Sequence, residues 1–265
     1  MTRVVVRRAR AVGVRTASGD AVEARRAVLA DTSAPALFLE LLPREALPAR
    51  ALGALQGFRW DPATVKVDWA LDAPIPWTAA DARRAPVIHV AESVDELTEY
   101  SADLARGLIP AKPFLVFGQY SMADATRCPP GNEVAWAYAH VPQRARGDAG
   151  GALTGAWDDA EKEVFADRIE ARVEALAPGF RGLIRARHVL GPHDLERLNR
   201  NLVNGAINGG TAQLHQQLFF RPAPGLARAA TPIRGLYLAS ASAHPGGGVH
   251  GAAGAIAARA ALRRG

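Results

Sequence analysis

Thr231-Pro232-Ile233-Arg234-Gly235-Leu236-Tyr237-Leu238-Ala239-Ser240 runs straight into Ala241-Ser242-Ala243-His244-Pro245-Gly246-Gly247-Gly248-Val249-His250-Gly251. A run of small residues from Ala252 to about Leu262 follows. The order reads as a short apolar strand, a glycine turn and a helix. Glycines at such a turn let a flat or anionic group approach the backbone where the helix amides begin. The start of the chain offers no matching half. Val12-Gly13-Val14 lies inside a strand pattern and carries too few glycines for a G-x-G-x-x-G turn. One half of a nucleotide site is read at residues 231–251, and its counterpart is not found.

Working outward, residues 1–31 alternate. Val4 and Val6 precede Ala11-Val12-Gly13-Val14, Ser18-Gly19-Asp20 makes a turn, and Ala21 to Ala30 returns as a strand ending at Asp31. Ser33 and Pro35 open a helix with Leu37, Leu41 and Leu42 on one face, and a second helix covers Pro48 to Leu55. Val65 to Leu71 alternates as a strand, whereas Pro74-Ile75-Pro76-Trp77 is extended but no interior strand. Val87 to Val90 is a strand. Ser93 to Arg106 is a helix with Ser93 and Glu96 at capping-box spacing. Phe114 to Tyr120 and Glu133 to His140 read as antiparallel partners, and Arg144 to Gly155 as a loop. Asp158 to Ala177 is a long helix with Val164, Ile169, Val173 and Leu176 near one face, stopped by Pro178-Gly179. Leu183 to His188 is a strand, His193 to Arg200 is helical, and Asn201 to Gln217 is an ordered, amide-rich loop.

The composition is that of a globular protein. Of 265 residues, 49% are hydrophobic and 22% charged, enough for one large domain or two small ones with a sizeable core. Lys plus Arg is 32 against 26 Asp plus Glu, a formal charge of +6. The cationic clusters Arg7-Arg8, Arg25-Arg26 and Arg263-Arg264 are short and lack interleaved aromatics, so they read as solvated surface and no nucleic-acid partner is expected. The sign suits an anionic cofactor or peripheral contact with a membrane surface. Cys128 is the single cysteine, which excludes an intrachain disulfide and a cysteine-built zinc site. Met1 to Arg8 shows no signal-peptide core, and no apolar run reaches the ~18 residues of a membrane helix. A cytoplasmic protein is expected.

Gly235-Leu236-Tyr237-Leu238-Ala239-Ser240 with His244-Pro245-Gly246-Gly247-Gly248-Val249-His250-Gly251 resembles the C-terminal part of the phytoene desaturase-like FAD-dependent oxidoreductases, within the amine-oxidase-type flavoproteins. Asn208-Gly209-Gly210-Thr211 and Ala27-Val28-Leu29-Ala30-Asp31 support the resemblance, and Val67 to Leu71 with Pro74 to Trp77 suits bacterial relatives of the carotenoid desaturases. The resemblance implies an α/β (α+β) fold. Residues 1–35 and 226–265 would form a partial FAD-binding domain of the glutathione-reductase-like type, and residues 36–225 an inserted substrate domain of antiparallel sheet plus helices. It implies FAD at Ser240, His244, Pro245, Gly246, Gly247, Gly248, Val249 and His250. Ser240-Ala241 stands where the family strand often ends in glycine and an acidic residue. The implied reaction is hydride removal from an apolar substrate, with no catalytic residue assigned. The absent G-x-G-x-x-G turn implies a truncated or split enzyme, completed by a second chain or by a homo-oligomer. The alternative is a non-catalytic interaction module, or a remnant that no longer holds FAD alone.

Plainer readings stand beside these. His244 and His250 lack carboxylate or cysteine companions at ligand spacing, so no metal is expected, even with His215 nearby. His250 serves either proton transfer or hydrogen bonding within the turn. Trp60, Trp69, Trp77, Trp136, Phe114, Phe117 and Tyr138 form either core or the lining of an apolar tunnel. Asn201, Asn204, Asn208 and Gln213 either order their loop through backbone hydrogen bonds or act near the flavin.

Overall fold

A computed structural model describes residues 1–264. The chain forms two compact units, Met1–Asp61 with Ala206–Gly265, and Pro62–Gly205. The first unit opens with an antiparallel meander of β1 (Arg3–Arg7), β2 (Arg10–Arg15) and β3 (Ala21–Glu23). The β1–β2 turn is Arg8-Ala9, with φ of 49° and 58°. Two successive positive φ values match the strand twist of a tight hairpin, at a steric cost that non-glycine residues rarely bear.

The single strand expected from Ala21 to Ala30 is in fact two. β3 ends at Glu23, and β4 (Val28–Ala30) joins another sheet, where the C-terminal strand takes up its hydrogen-bonding groups. The Val28 amide donates to Gly235 O at 2.8 Å and Ala30 O accepts from the Ala239 amide at 2.9 Å. Ser33 Oγ then accepts from the Ala36 amide at 3.3 Å, and Ala36–Leu41 winds as a wide helical turn. This turn and α1 (Ala49–Gln56) bury Leu37, Phe38, Leu42 and Leu55 with Val4, Ile233, Leu236 and Leu238. Residues 36–61 therefore pack with the first unit, so the compact units divide at 61/62 and 205/206 rather than at 35/36 and 225/226.

The second unit contains β5 (Ala63–Leu71), β6 (Val87–Val90), α2 (Val94–Arg106), β7 (Leu108–Ile109), β8 (Leu115–Gln119), α3 (Tyr120–Ala123), β9 (Glu133–Val141), β10 (Gly147–Asp148), α4 (Asp159–Leu176), β11 (Ile184–Leu190) and α5 (Pro192–Leu198). Its main sheet is antiparallel throughout, in the order β11-β5-β9-β8-β6. The period-2 pattern sends Val65, Val67, Trp69 and Leu71 of β5 inward beside Ala135, Ala137, Ala139 and Val141 of β9. α4 covers that face with Phe165, Ala166, Ile169 and Val173. The expected face of α4 needs correction: Val164 is 41% exposed. The buried stripe runs instead through Phe165 and also carries Lys162 and Glu170, which hydrophobic periodicity does not count.

Both buried charges are paired. Lys162 Nζ meets Asp194 at 2.8 Å, and Glu170 accepts from Trp69 Nε1 at 2.9 Å and from Arg187 at 3.0 Å. Ser93 caps α2 through the Glu96 amide at 3.1 Å, while the Glu96 carboxylate pairs with Arg172 of α4. The segment Arg144–Gly155, expected as loop, includes β10, which pairs in parallel with β7. Asp148 there takes both Arg168 Nη atoms at 2.8 Å and the amides of Gly150, Ala152 and Leu153.

Burial works to raise the Asp148 carboxyl, but Arg168 and those amides outweigh it and hold the group down at about 2. A carboxylate depressed in the fold stabilises fully above its unfolded range, near pH 4, and loses that contribution as pH falls through about 2. Asp148→Asn is therefore expected to melt lower at about pH 6 and to lose less melting temperature on acidification to about pH 2. Parallel melting curves for the two proteins would remove Asp148 from the causes of acid sensitivity.

The chain returns to the first unit through the amide-rich loop. β12 (Leu236–Leu238) lies parallel to β4, with Leu236 opposite Val28 and Leu238 opposite Ala30. The helix α6 (Ala252–Arg264) follows the glycine turn. No described helix is long and apolar enough to cross a membrane.

Candidate cofactor site

β12 is buried at all three positions, and the chain leaves its end through a tight turn. Ala243 N donates to Ser240 O at 2.9 Å, and Gly246 N donates to Ala243 O at 2.8 Å. Ser240 Oγ accepts from the Ser242 amide at 3.2 Å, and Ser242 Oγ donates to Gly209 O at 2.7 Å. Ser240 is thus a buried member of the turn. His244 and Pro245, joined by a cis peptide bond, are half-buried, and Gly247, Gly248, Val249 and His250 are exposed.

The His250 amide donates to Gly248 O at 2.8 Å, and His250 Nδ1 accepts from the Ala252 amide at 3.0 Å. That bond requires an unprotonated Nδ1. Of the two roles weighed for His250, hydrogen bonding within the turn is the one observed: the ring caps α6.

The glycines serve the chain's own packing first. A Cβ at Gly247 would stand 2.9 Å from Asn208 O and 3.0 Å from its Cα. One at Gly209 would stand 2.9 Å from the Ser242 amide nitrogen, and one at Gly246 3.2 Å from Arg221 Nε. Two glycine-containing turns, 208–210 and 246–248, therefore interlock with no room for side chains between them. The open side of Gly247 and Gly248, with Val249 beside it, remains accessible at the amino end of α6.

Two charged residues that sequence reading passed over hold this arrangement. Asp61 accepts the amides of Ile207 and Asn208 at 2.8 Å and of Gly210 at 3.1 Å. Arg221, 1% exposed, donates to Ala241 O at 2.8 and 3.0 Å, to Thr211 O at 2.9 Å and to Asn208 O at 2.8 Å. Gln216 adds a reciprocal pair with the Arg59 backbone, both bonds 2.8 Å. The signal for Arg221 in the sequence is a single cation inside the apolar stretch Leu218–Leu226. Asn208 does order the loop, through its backbone, and Gln213 through its amide to Thr211 Oγ1 at 3.3 Å. Asn204 Nδ2 bonds Gln143 in the second unit.

His244 Nδ1 is buried with no hydrogen-bond partner among the described residues. A buried polar atom without a partner costs free energy, which a ligand group or water relieves. His244 lines a cleft of about 390 Å³ with Arg228, Ile256 and Arg263. His215 is exposed, and among the described residues no three His, Cys, Asp or Glu side chains gather around a common point.

The aromatic residues divide between settings. Trp69, Trp77 and Phe117 are core, with Trp69 and Phe117 stacked at 5.7 Å, and Trp60 sits edge-on to Phe58 in the first unit. Trp136 and Tyr138 lie half-buried on the opposite face of the main sheet, stacked at 6.0 Å, with Tyr120 and His140 continuing the row. Gly118 lies opposite Trp136, and a Cβ there would come within 2.2 Å of the indole. Trp136 Nε1 is buried without a partner among the described residues.

No family model matches the chain. Over 263 residues it is 35% identical to pyridine nucleotide-disulfide oxidoreductase domain-containing protein 2 of Mus musculus and 33% identical to that of Rattus norvegicus. Each alignment covers 96% of this chain and 44% of the relative, so the chain spans less than half the length of these curated relatives. The crystal structure of an oxidoreductase from Methanosarcina mazei matches 99% of this chain and 48% of its own, with a TM-score of 0.53 and 13% identity. That likeness is one of fold. The similarities support a broad oxidoreductase family and do not extend to a desaturase-type assignment. With Cys128 as its single cysteine, the chain cannot form a disulfide within itself.

Proposed function

We propose that this chain is the flavin-ring and substrate portion of an FAD-dependent oxidoreductase of the phytoene desaturase-like kind. The observation that carries the reading is the glycine turn at the amino end of α6, braced from behind by Asp61 and Arg221, with His244 Nδ1 beside it, buried and without a partner among the described residues. Residues Met1–Asp61 with Ala206–Gly265 then form the cofactor unit, and Pro62–Gly205 the substrate unit. Gly247 and Gly248 admit a flat ring to the backbone, the amino end of α6 favours negative charge beside it, and His244 Nδ1 supplies a hydrogen-bond partner. Ser240, Pro245, Gly246, Val249 and His250 shape the turn. FAD, when bound, supplies the hydride acceptor. The half-buried Trp136–Tyr138 row supports an apolar substrate on the open face of the sheet. Burial pushes the Tyr138 hydroxyl up, so the phenol stays neutral, and the charges across from the row, Lys66 and Asp68, are paired with each other.

The test is the visible absorbance of the purified chain after addition of FAD and exhaustive dialysis. Retained flavin bands at close to one flavin per chain are expected, and Gly247→Val, which forces the turn away from Asn208, should lose them. A second reading, a non-catalytic interaction module, is favoured by Leu218, Phe219 and Phe220, which are 57%, 77% and 47% exposed. A colourless protein that self-associates through these residues would replace the first reading with the second.

A further inference from the structure

Folding segregates charge in a way the linear sequence conceals. Residues 1–61 and 206–265 hold sixteen arginines and six carboxylates, while residues 62–205 hold sixteen cationic side chains and twenty carboxylates. In the second unit the arginines meet carboxylates, as in Arg168–Asp148, Arg172–Glu96 and Arg187–Glu163. In the first unit the arginines outnumber the carboxylates by more than two to one, so most of them face no carboxylate partner of that unit.

Three of those arginines, Arg10, Arg26 and Arg234, line one cleft of about 300 Å³ at the amino-terminal ends of β4 and β12. We propose that this cleft binds the phosphate group of an organic phosphate or diphosphate. Arg10 and Arg234 are held in place by the backbone around them. The Arg10 side chain lies along Gly235, whose φ is 72° and where a Cβ would stand 3.6 Å from Arg10 Cγ. One Arg10 Nη donates to Arg26 O at 2.9 Å, and one Arg234 Nη donates to Arg8 O at 3.0 Å. The Arg234 backbone is clamped in turn: its amide donates to Ala9 O at 3.0 Å, and its carbonyl accepts the Ala11 amide at 2.9 Å. The left-handed Arg8-Ala9 turn is the piece that reaches Arg234, so the backbone strain there is spent on positioning this corner.

Each guanidinium retains donors beyond those bonds, and a phosphate takes such donors in pairs, with a geometry that a lysine cannot reproduce. Among the described residues, no carboxylate lines the cleft to repel it. Leu236 and Tyr237 give the cleft an apolar floor, which suits the organic part of the ligand rather than a bare ion. β12 separates this cleft from the glycine turn by ~10 Å of strand, so the proposal does not rest on the flavin reading.

The phosphate belongs either to a soluble metabolite or to a lipid head group, and one set of experiments separates them. Pyrophosphate binding to the full chain is measured by titration calorimetry at about 0.1 M salt. Binding to phosphatidylcholine vesicles, with and without phosphatidic acid, is measured by sedimentation. Saturable pyrophosphate binding is expected, weakened about tenfold by Arg26→Gln and abolished in the triple variant R10Q/R26Q/R234Q. Arg44→Gln and Arg50→Gln, exposed in the same unit, should leave it unchanged. Arg26 has no side-chain bond of its own to lose, so its variant reports binding even if the triple variant misfolds. Pyrophosphate binding without vesicle sedimentation assigns a soluble ligand; sedimentation that needs phosphatidic acid and is competed by pyrophosphate assigns a lipid. Absence of binding in both assays would overturn the proposal, as would an R26Q affinity equal to wild type or an equal loss in the Arg44 and Arg50 variants.

Discussion

Replacing Arg221 with alanine is expected to destabilise the protein by about 3–5 kcal/mol, the loss found when one member of a buried charged network is removed. The guanidinium is 1% exposed and satisfies the carbonyls of Asn208, Thr211 and Ala241 together. Alanine leaves those acceptors facing a cavity, and each unmet buried acceptor costs on the order of 1–3 kcal/mol unless water enters. For a domain whose whole stability is about 5–15 kcal/mol, the loss is a large fraction of the total. The melting temperature should fall by ~10 °C or more. Hydrogen exchange gives the local reading: the Ile207, Asn208 and Gly210 amides, held by Asp61, should lose protection before the strands of the second unit do. Arg221→Lys should recover only part of the loss, because an ammonium cannot span the same carbonyls. A melting temperature within a degree or two of wild type for Arg221→Ala would show that the loop stands without its brace, and the account of the glycine turn would then need another support. Under the flavin reading, the same variant should also release FAD.

Trp69→Ala is expected to cost the second unit about 3–5 kcal/mol, typical of removing a large aromatic residue from a core. Trp69 is 1% exposed, stacks on Phe117, meets Phe180 edge-on at 5.5 Å and donates from Nε1 to Glu170 at 2.9 Å. The truncation opens a cavity at the centre of the sheet and strips a donor from a buried carboxylate that Arg187 still holds. Trp69→Phe separates these effects, keeping most of the packing and losing only the Nε1 bond; it should cost about 1–2 kcal/mol. Denaturant unfolding followed by far-UV circular dichroism reads both. Trp136→Ala, on the open face, should cost markedly less and, under the flavin reading, act on substrate instead. If Trp136→Ala proved the more destabilising of the two, the division between core and open-face aromatics would be wrong.

That division shows where sequence reading reached its limit. Alternation in Val65–Leu71 and Glu133–His140 specified strands with one buried face, because a period of two leaves no other way to gather those side chains. Trp136 and Trp69 look equivalent as residues; they separate because Trp136 pairs opposite Asp68, on the outward set of β9. The long helix was legible from Asp158 to its Pro178-Gly179 stop, while its buried face was displaced because Lys162 and Glu170 are buried as paired ions. The break in the Ala21–Ala30 strand was not legible, since nothing local tells β4 to pair with a strand from the other end of the chain.

The sequence by itself determined the strand–glycine turn–helix of residues 236–264, the alternating strands of the central sheet and the capped helices. These follow from steric and hydrogen-bond preferences that act over a few neighbouring residues. Only the tertiary structure decided the rest: the pairing of β4 with β12, the interlocking of the two glycine turns around Arg221, and the gathering of cations in the first unit. Each joins segments distant in the chain, and the energies that join them, burial and the satisfaction of buried polar groups, depend on which surfaces meet rather than on which residues are neighbours.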